Sequence, residues 1–343
     1  MGAGACLVAR SVRGIEELVA AEVGRRGGEV VATGHREVRF RAPRAAGAAS
    51  LTTADDVFVL VADVEGIGRP RTDLARLAAA VADADLDAAL AVRDACGGPP
   101  AVALDVSASS LGRRSFTRFD VEDAVGAVLA ARLGLPYSSR RGGGRPPEGG
   151  LGWRVALVDG RASVAVRVGA RPLHRRPWKV ASVPGTLHPP LAAAMVALAG
   201  AGRGDVVLDP CCGAGTLAIE AARAGAVAVG ADLDPVAVAA ATRNGRGSGV
   251  RWLRADAGAL PVADGSVRRV LLNPPWGRRV APAGLLAGRP GRLGREVRRV
   301  LGPGGTVVAL VPDGVAPGVD GVEVRRRIPV ALAGSRLVLW VLG

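Results

Sequence analysis

Val206-Val207-Leu208-Asp209-Pro210-Cys211-Cys212-Gly213-Ala214-Gly215-Thr216-Leu217-Ala218-Ile219-Glu220 decides the fold of this chain. A short aliphatic run ends in Asp-Pro, a glycine turn follows, and an Ala-rich helical stretch opens at Thr216. Gly213 and Gly215 allow tight curvature and close approach of a ligand to the backbone. Ala218 takes the third small position of a G-x-G-x-x-G/A pattern. A second strand over 226–231 ends at Asp232, 19 residues after Gly213. A carboxylate there in a βαβ unit can accept both hydroxyls of a ribose.

Further along, the strand Val267–Leu272 delivers Asn273-Pro274-Pro275-Trp276. An exocyclic amine on a nucleobase is a poor nucleophile, because its lone pair is delocalised into the ring. The Asn273 side-chain carbonyl and the Pro274 backbone carbonyl can accept its two N–H groups and free that lone pair. Trp276 offers a face to the base, a stack worth about 1–3 kcal/mol. Two adenosine cofactors fit the glycine turn. NAD would set a pyrophosphate on the helix N-terminus. S-adenosylmethionine instead carries a sulfonium, an amine and a carboxylate. Asp209 precedes the loop, where it can attract that cationic end, and Asp256 closes the next strand, where it can accept from the adenine amine. Three acids and the tetrapeptide at successive strand ends favour S-adenosylmethionine, since strand ends of a doubly wound sheet converge on one crevice.

From about Leu187 to Gly343 the pattern reads as one α/β domain. Helices are expected over 192–199, 215–224, 235–244 and 292–301, and Pro303-Gly304-Gly305 punctuates before a strand over 306–311. Residues 322–329 and 336–342 read as a terminal hairpin that inserts an antiparallel strand. A dehydrogenase would need a further strand–helix pair there.

The 343 residues suffice for two domains with sizeable cores. No apolar run is long and charge-free enough to span a bilayer, and the start lacks a basic region followed by an apolar one, so a cytoplasmic protein is expected. Cys6, Cys96, Cys211 and Cys212 form no C-x-x-C pair and no His-linked pattern; neither a disulfide nor a metal site is expected. A net charge of +14 points to a polyanionic partner. Lys179 is the only lysine, but exchanging Lys for Arg keeps charge and does not explain the excess. Residues 1–100 carry 12 basic and 14 acidic side chains, 101–200 carry 14 and 6, and 201–343 carry 19 and 11. The middle and C-terminal parts are therefore the expected phosphate footprint.

In the N-terminal half, a strand over 5–10, a helix over 14–24 and strands at 30–31 and 38–40 suggest a small β-α-β-β unit. Ile15, Leu18, Val19 and Val23 share one face of that helix. A strand over 57–64, a helix over 72–94, a strand over 101–107 and a helix over 121–133 follow. After a Gly- and Pro-rich loop over 140–150 comes a hairpin turning at Asp159-Gly160. Arg113, Arg114, Phe116 and Arg118 interleave cations with aromatics as an RNA-binding stripe would, and Arg278 lies beside the tetrapeptide.

Four further stretches join these motifs: Ser11-Val12-Arg13-Gly14-Ile15-Glu16-Glu17-Leu18, Gly112-Arg113-Arg114-Ser115-Phe116, Arg171-Pro172-Leu173-His174-Arg175-Arg176-Pro177-Trp178 and Pro184-Gly185-Thr186-Leu187. In this order, over nearly the whole chain, they resemble the THUMP-domain RNA guanine-N2-methyltransferases. The resemblance implies an α/β fold: a Rossmann-type class I methyltransferase domain over 187–343, preceded by an α+β module. That module would comprise a ferredoxin-like domain over 1–50, a THUMP RNA-binding domain over 51–170 and a linker over 171–186. It implies transfer of a methyl group from S-adenosylmethionine to N2 of a guanosine in structured tRNA or in ribosomal RNA. Asn273, Pro274 and Trp276 would hold the base, with Asp209, Cys211, Gly213, Gly215, Thr216, Asp232 and Asp256 around the cofactor. Trp276 stands where Tyr or Phe is expected, and Cys212 is unusual in the glycine loop. A monomer is expected.

The same tetrapeptide would serve a DNA adenine-N6 methylase, which has no use for a THUMP half. A catalytically silent RNA-binding protein would not need intact acids and Asn273. A cysteine nucleophile is disfavoured because Cys211 and Cys212 both fall in the cofactor loop. His174, among Arg and Pro, reads as a hydrogen-bonded contact rather than a general base.

Overall fold

The computed structural model describes all residues except 1–4, 43–46, 48–49, 145–147, 278–279 and 290. The chain forms two compact units. One comprises Met1–Arg10 and Val19–Leu173, the other Ser11–Leu18 and His174–Gly343.

The first unit contains β1 (Leu7–Arg10), α1 (Glu16–Arg25, from Val19 on), β2 (Glu29–Gly34), β3 (Glu37–Arg41), β4 (Asp56–Glu65), α2 (Asp73–Ala82), α3 (Leu86–Ala95), β5 (Ala103–Ser110), α4 (Arg118–Leu133), β6 (Gly150–Val158) and β7 (Arg161–Arg167). Its strands make one sheet in the order β2-β3-β1-β4-β7-β6-β5, antiparallel except for β5 beside β6. The boundary expected at residue 50 does not divide this sheet, because β1 pairs with β4 across it, Leu7 facing Val59 and Arg10 facing Asp56. The single helix expected over 72–94 is two helices. Asp85 ends the first run by turning its carboxylate onto the Ala88 N–H, capping α3. The hairpin turns at Asp159 and Gly160 as expected, both at positive φ (48° and 77°), the geometry of a tight two-residue loop.

The second unit contains α5 (Pro189–Leu198), β8 (Val206–Asp209), α6 (Thr216–Arg223), β9 (Val227–Asp232), α7 (Pro235–Asn244), β10 (Arg251–Arg254), β11 (Val267–Leu272), a 3-10 turn (Gly284–Leu286), α8 (Gly291–Val300), β12 (Leu301–Pro312), β13 (Val324–Leu332) and β14 (Ser335–Leu342). The sheet order is β10-β9-β8-β11-β12-β14-β13. The first five strands are parallel, and β14 inserts antiparallel between β12 and β13. Strand order reverses between β8 and β11, so the carboxyl ends of those two strands flank the crevice of the sheet.

Ser11–Leu18 does not stay with the N-terminal strand that precedes it. Val12 and Ile15 are buried in the second unit's core with Leu191, Met195, Ile328 and Val330, while Val19 and Val23 join the first unit's core. Arg13 forms a bridge to Ala331, whose N–H donates to the Arg13 carbonyl at 3.0 Å. Gly14, at φ +101°, lies so close to β13 that a Cβ would sit 2.0 Å from the Pro329 oxygen. Gly14→Ala combines left-handed strain of about 1–2 kcal/mol with overpacking of about 1–3 kcal/mol, so a total loss of about 2–5 kcal/mol is expected. Thermal melts should show a much smaller change for Gly27→Ala, which has positive φ but open space around it.

Candidate active site

The carboxyl ends of β8 to β11 open onto a cavity of about 830 Å³. Asp209, Cys211, Gly213, Thr216, Asp232, Asp256, Asn273, Pro274 and Trp276 all line it. Among the described lining residues the charged side chains are carboxylates, Asp234 being the fourth, with neither Lys nor Arg. Such a wall suits a cationic ligand better than a pyrophosphate.

The glycine loop is held from below. Gly213 donates its N–H to Asp232 at 2.8 Å, and Asp234 donates to the other oxygen of the same carboxylate at 3.0 Å. The remaining lone pairs of Asp232 can accept ribose hydroxyls. Asp209 is 1% exposed and, among the described residues, takes only the Cys211 N–H, at 3.3 Å. Burial, and behind it the charge of Asp232, pushes its carboxyl well above the usual range. Thr216, opening α6, has a buried hydroxyl with no hydrogen-bond partner among the described residues. An acid short of cationic partners and an unmet hydroxyl fit a methyl donor bearing a sulfonium and an amine. Asp256 already accepts from the Gly258 N–H (2.8 Å) and from the Leu285 N–H in the 3-10 turn (2.7 Å).

Gly215 is not part of this wall. At φ +83° it caps α6, and a Cβ there would meet the Trp252 ring at 2.5 Å. Gly230 and Gly245 back onto the same indole. The glycine thus makes room for Trp252 rather than for a ligand, a packing requirement that motif spacing does not reveal. Cys211 and Cys212 both line the cavity, Cys212 being buried, and burial raises both thiols well above their ordinary range. Neutral thiols are poor nucleophiles.

On the acceptor side, Asn273 donates its Nδ2 to the Gly185 carbonyl at 3.3 Å, which leaves Oδ1 as the acceptor. Trp276 is anchored by its indole N–H, 3.2 Å from the Leu310 carbonyl. Leu310, Pro312, Leu332, Ala333 and Leu337 form an apolar wall beyond it, with Ser335 beside them.

Residues 171–186, expected to be a linker, supply part of the site. Arg176 pairs with buried Glu220 at 2.8 Å. Buried Asn244 accepts from the N–H groups of Val180 and Ala181 and donates to the carbonyls of Ala181 and Ala214. One amide therefore ties this strap to the glycine loop. Thr186 closes a turn onto Val183, and residues 183–188 form one wall of the cavity. The run of Arg and Pro hid this; the Pro-Gly-Thr after it was the available signal.

The expected RNA stripe is corrected in part. Phe116 is 8% exposed and belongs to the first unit's core, so it offers no face to a base. Arg114 is spent on the Ile67 and Gly68 carbonyls. Arg113 and Arg118 are exposed, and Arg118 lies 4.6 Å from the Phe119 ring instead. Arg278 lies outside the described residues, as do 145–147 in the expected loop. Among the described residues there is no His, Cys, Asp or Glu cluster able to hold a metal ion, and no helix long and apolar enough to cross a membrane.

Residues 176–316, which contain most of the strap, the glycine loop and the tetrapeptide, match the family described as UPF0020: RMKL-like, methyltransferase domain. The chain is also 36% identical, over 60% of its own length, to a tRNA (guanine(6)-N2)-methyltransferase of Thermus thermophilus. It is 39% identical over 34% of its length to a tRNA (guanine(10)-N2)-dimethyltransferase of Methanothermobacter thermautotrophicus. These matches span 61% and 34% of the two relatives. The crystal structure of TrmN from Thermus thermophilus superposes with a TM-score of 0.73 at 29% identity, covering 98% of both chains. SMU.472 complexed with SAH shares the fold at a TM-score of 0.74 and 16% identity, covering 99% of this chain and 98% of that one. The segment that matches UPF0020 thus lies in a chain similar to tRNA guanine-N2-methyltransferases.

Proposed function

We propose that this protein methylates the exocyclic N2 amine of a guanosine in structured tRNA, using S-adenosylmethionine. The observation that carries the reading is that Asn273 and Asp209 line the same cavity, with the Asn273 donor end tied to Gly185 and its acceptor end available. When bound, S-adenosylmethionine supplies an electrophilic methyl group. Asp209 and the Thr216 hydroxyl would hold its methionyl end, Asp232 the ribose and Asp256 the adenine. Asn273 Oδ1 and the Pro274 carbonyl would take the two N–H groups of the guanine amine and release its lone pair. Trp276, fixed through Leu310, would stack the base. Positioning of this kind can lower a barrier by about 7–11 kcal/mol in well-aligned cases. The target base must leave its stack, at a cost of a few kcal/mol. The first unit is read as the THUMP-containing RNA-binding part, and its exposed Arg113 and Arg118 as phosphate contacts.

The test is incubation of the purified chain with methyl-labelled S-adenosylmethionine and total tRNA, ribosomal RNA or DNA, followed by nucleoside analysis. N2-methylguanosine in the tRNA pool is expected. Label confined to DNA or ribosomal RNA, or absent from every pool, would overturn the proposal.

A further inference from the structure

The strap that walls the methyl-transfer cavity has a second groove at its other end. Trp178, Val180, Arg243, Asn244 and Arg246 enclose about 290 Å³ there. Val180 is 72% exposed, yet it is not loose: its N–H is fixed by Asn244 at 2.9 Å. The Trp178 indole N–H is buried with no acceptor among the described residues. Arg243 and Arg246 are exposed, and neither pairs with a carboxylate among the described residues, although many other arginines of the chain do. An apolar shelf with an unmet donor, flanked by two unpaired guanidiniums, has the composition of a stacking platform for a nucleotide in a single strand.

We propose that this groove holds an unpaired nucleotide flanking the methylated guanosine. The inference rests on the RNA-methyltransferase reading above. The base would lie on Trp178 and Val180, and Arg243 and Arg246 would take the two adjoining phosphates. Val180 and Gly185, which holds Asn273, are five residues apart, so at most about 18 Å separates them. That span is a few nucleotides of a single strand, which places the groove beside the target rather than at a remote docking site. Extruding one base disturbs its neighbours, and a platform for one of them would offset part of that cost.

The experiment measures binding of full-length protein to a tRNA transcript by fluorescence anisotropy over a salt series, with a DNA duplex of similar length alongside. Arg243→Gln/Arg246→Gln should weaken tRNA binding about 10-fold or more, and the slope of log affinity against log salt should become shallower by about 1.4 for two single-strand phosphates. Trp178→Leu should weaken binding about 5- to 150-fold with the slope unchanged. Val180→Glu, at an exposed position that cannot unfold the core, should weaken it as well. Calorimetric affinity for S-adenosylhomocysteine, unchanged in all variants, reports an intact catalytic unit. Wild-type-like affinity and slope in the variants would overturn the subsite alone. An equal loss on duplex DNA would reduce the groove to a general phosphate contact and also overturn it. Failure of the wild-type protein to bind tRNA would overturn the underlying reading.

Discussion

Asn273→Ala is expected to lower kcat by about 10²–10³, the scale of losing one positioned polar contact to a reacting group, with affinity for S-adenosylhomocysteine within about threefold of the parent. The separation of effects follows from the geometry. Asn273 stands at the end of β11 with its Nδ2 on Gly185, whereas the acids that would hold the cofactor stand at the ends of β8, β9 and β10. Asn273→Asp isolates the acceptor: it keeps an oxygen near the amine but loses the donor to Gly185 and faces that carbonyl with a negative charge. It should fall between the parent and Ala. Single-turnover rates under saturating cofactor provide the measurement, and an Ala variant that turns over normally would remove Asn273 from the mechanism.

Asp209→Asn should weaken binding of S-adenosylmethionine by roughly 10- to 150-fold, the equivalent of a charge-assisted hydrogen bond worth about 1.5–3 kcal/mol. It should not destabilise the ligand-free protein at neutral pH. Burial, with the Asp232 charge behind it, holds the Asp209 carboxyl well above its usual range. The folded state therefore retains a proton that the unfolded state releases, and this group's contribution to stability declines as pH rises from the unfolded value through the folded one. The neutral amide removes that decline. A cationic ligand works in the opposite direction by favouring the carboxylate, so affinity in the parent should fall as pH drops through the raised value. Calorimetry across pH should show this titration in the parent and a flatter profile in Asp209→Asn. A variant that binds as tightly as the parent would remove Asp209 from the cofactor site.

The catalytic sheet was legible because its strands are short aliphatic runs that end in chemically distinctive residues: Asp209, Asp232 and Asn273. The antiparallel terminal hairpin was also readable from its Gly-containing turn. What escaped the pattern shares a physical cause, since each feature depends on partners distant in the chain. Trp252 fills a space made by three glycines, which no local period encodes. Asn244, at the end of α7, is an ordinary helix-terminal residue until its amide meets the strap and the glycine loop. Phe116 read as part of a basic, exposed run, yet its ring completes the first unit's core. Ile15 and Val19 share a helical face and serve different cores, because the chain changes units within α1.

That change of allegiance ties synthesis to assembly. Glu17 and its ion-pair partner Arg326 are 309 positions apart, and Val12 and Ile15 leave the ribosome long before Ile328 and Val330 exist to cover them. The catalytic half cannot close its interior progressively as it emerges; its earliest peptide must wait for its latest strands. Joining such distant segments is entropically slow, so the final gain of methyl-donor affinity should trail the appearance of the first sheet during refolding.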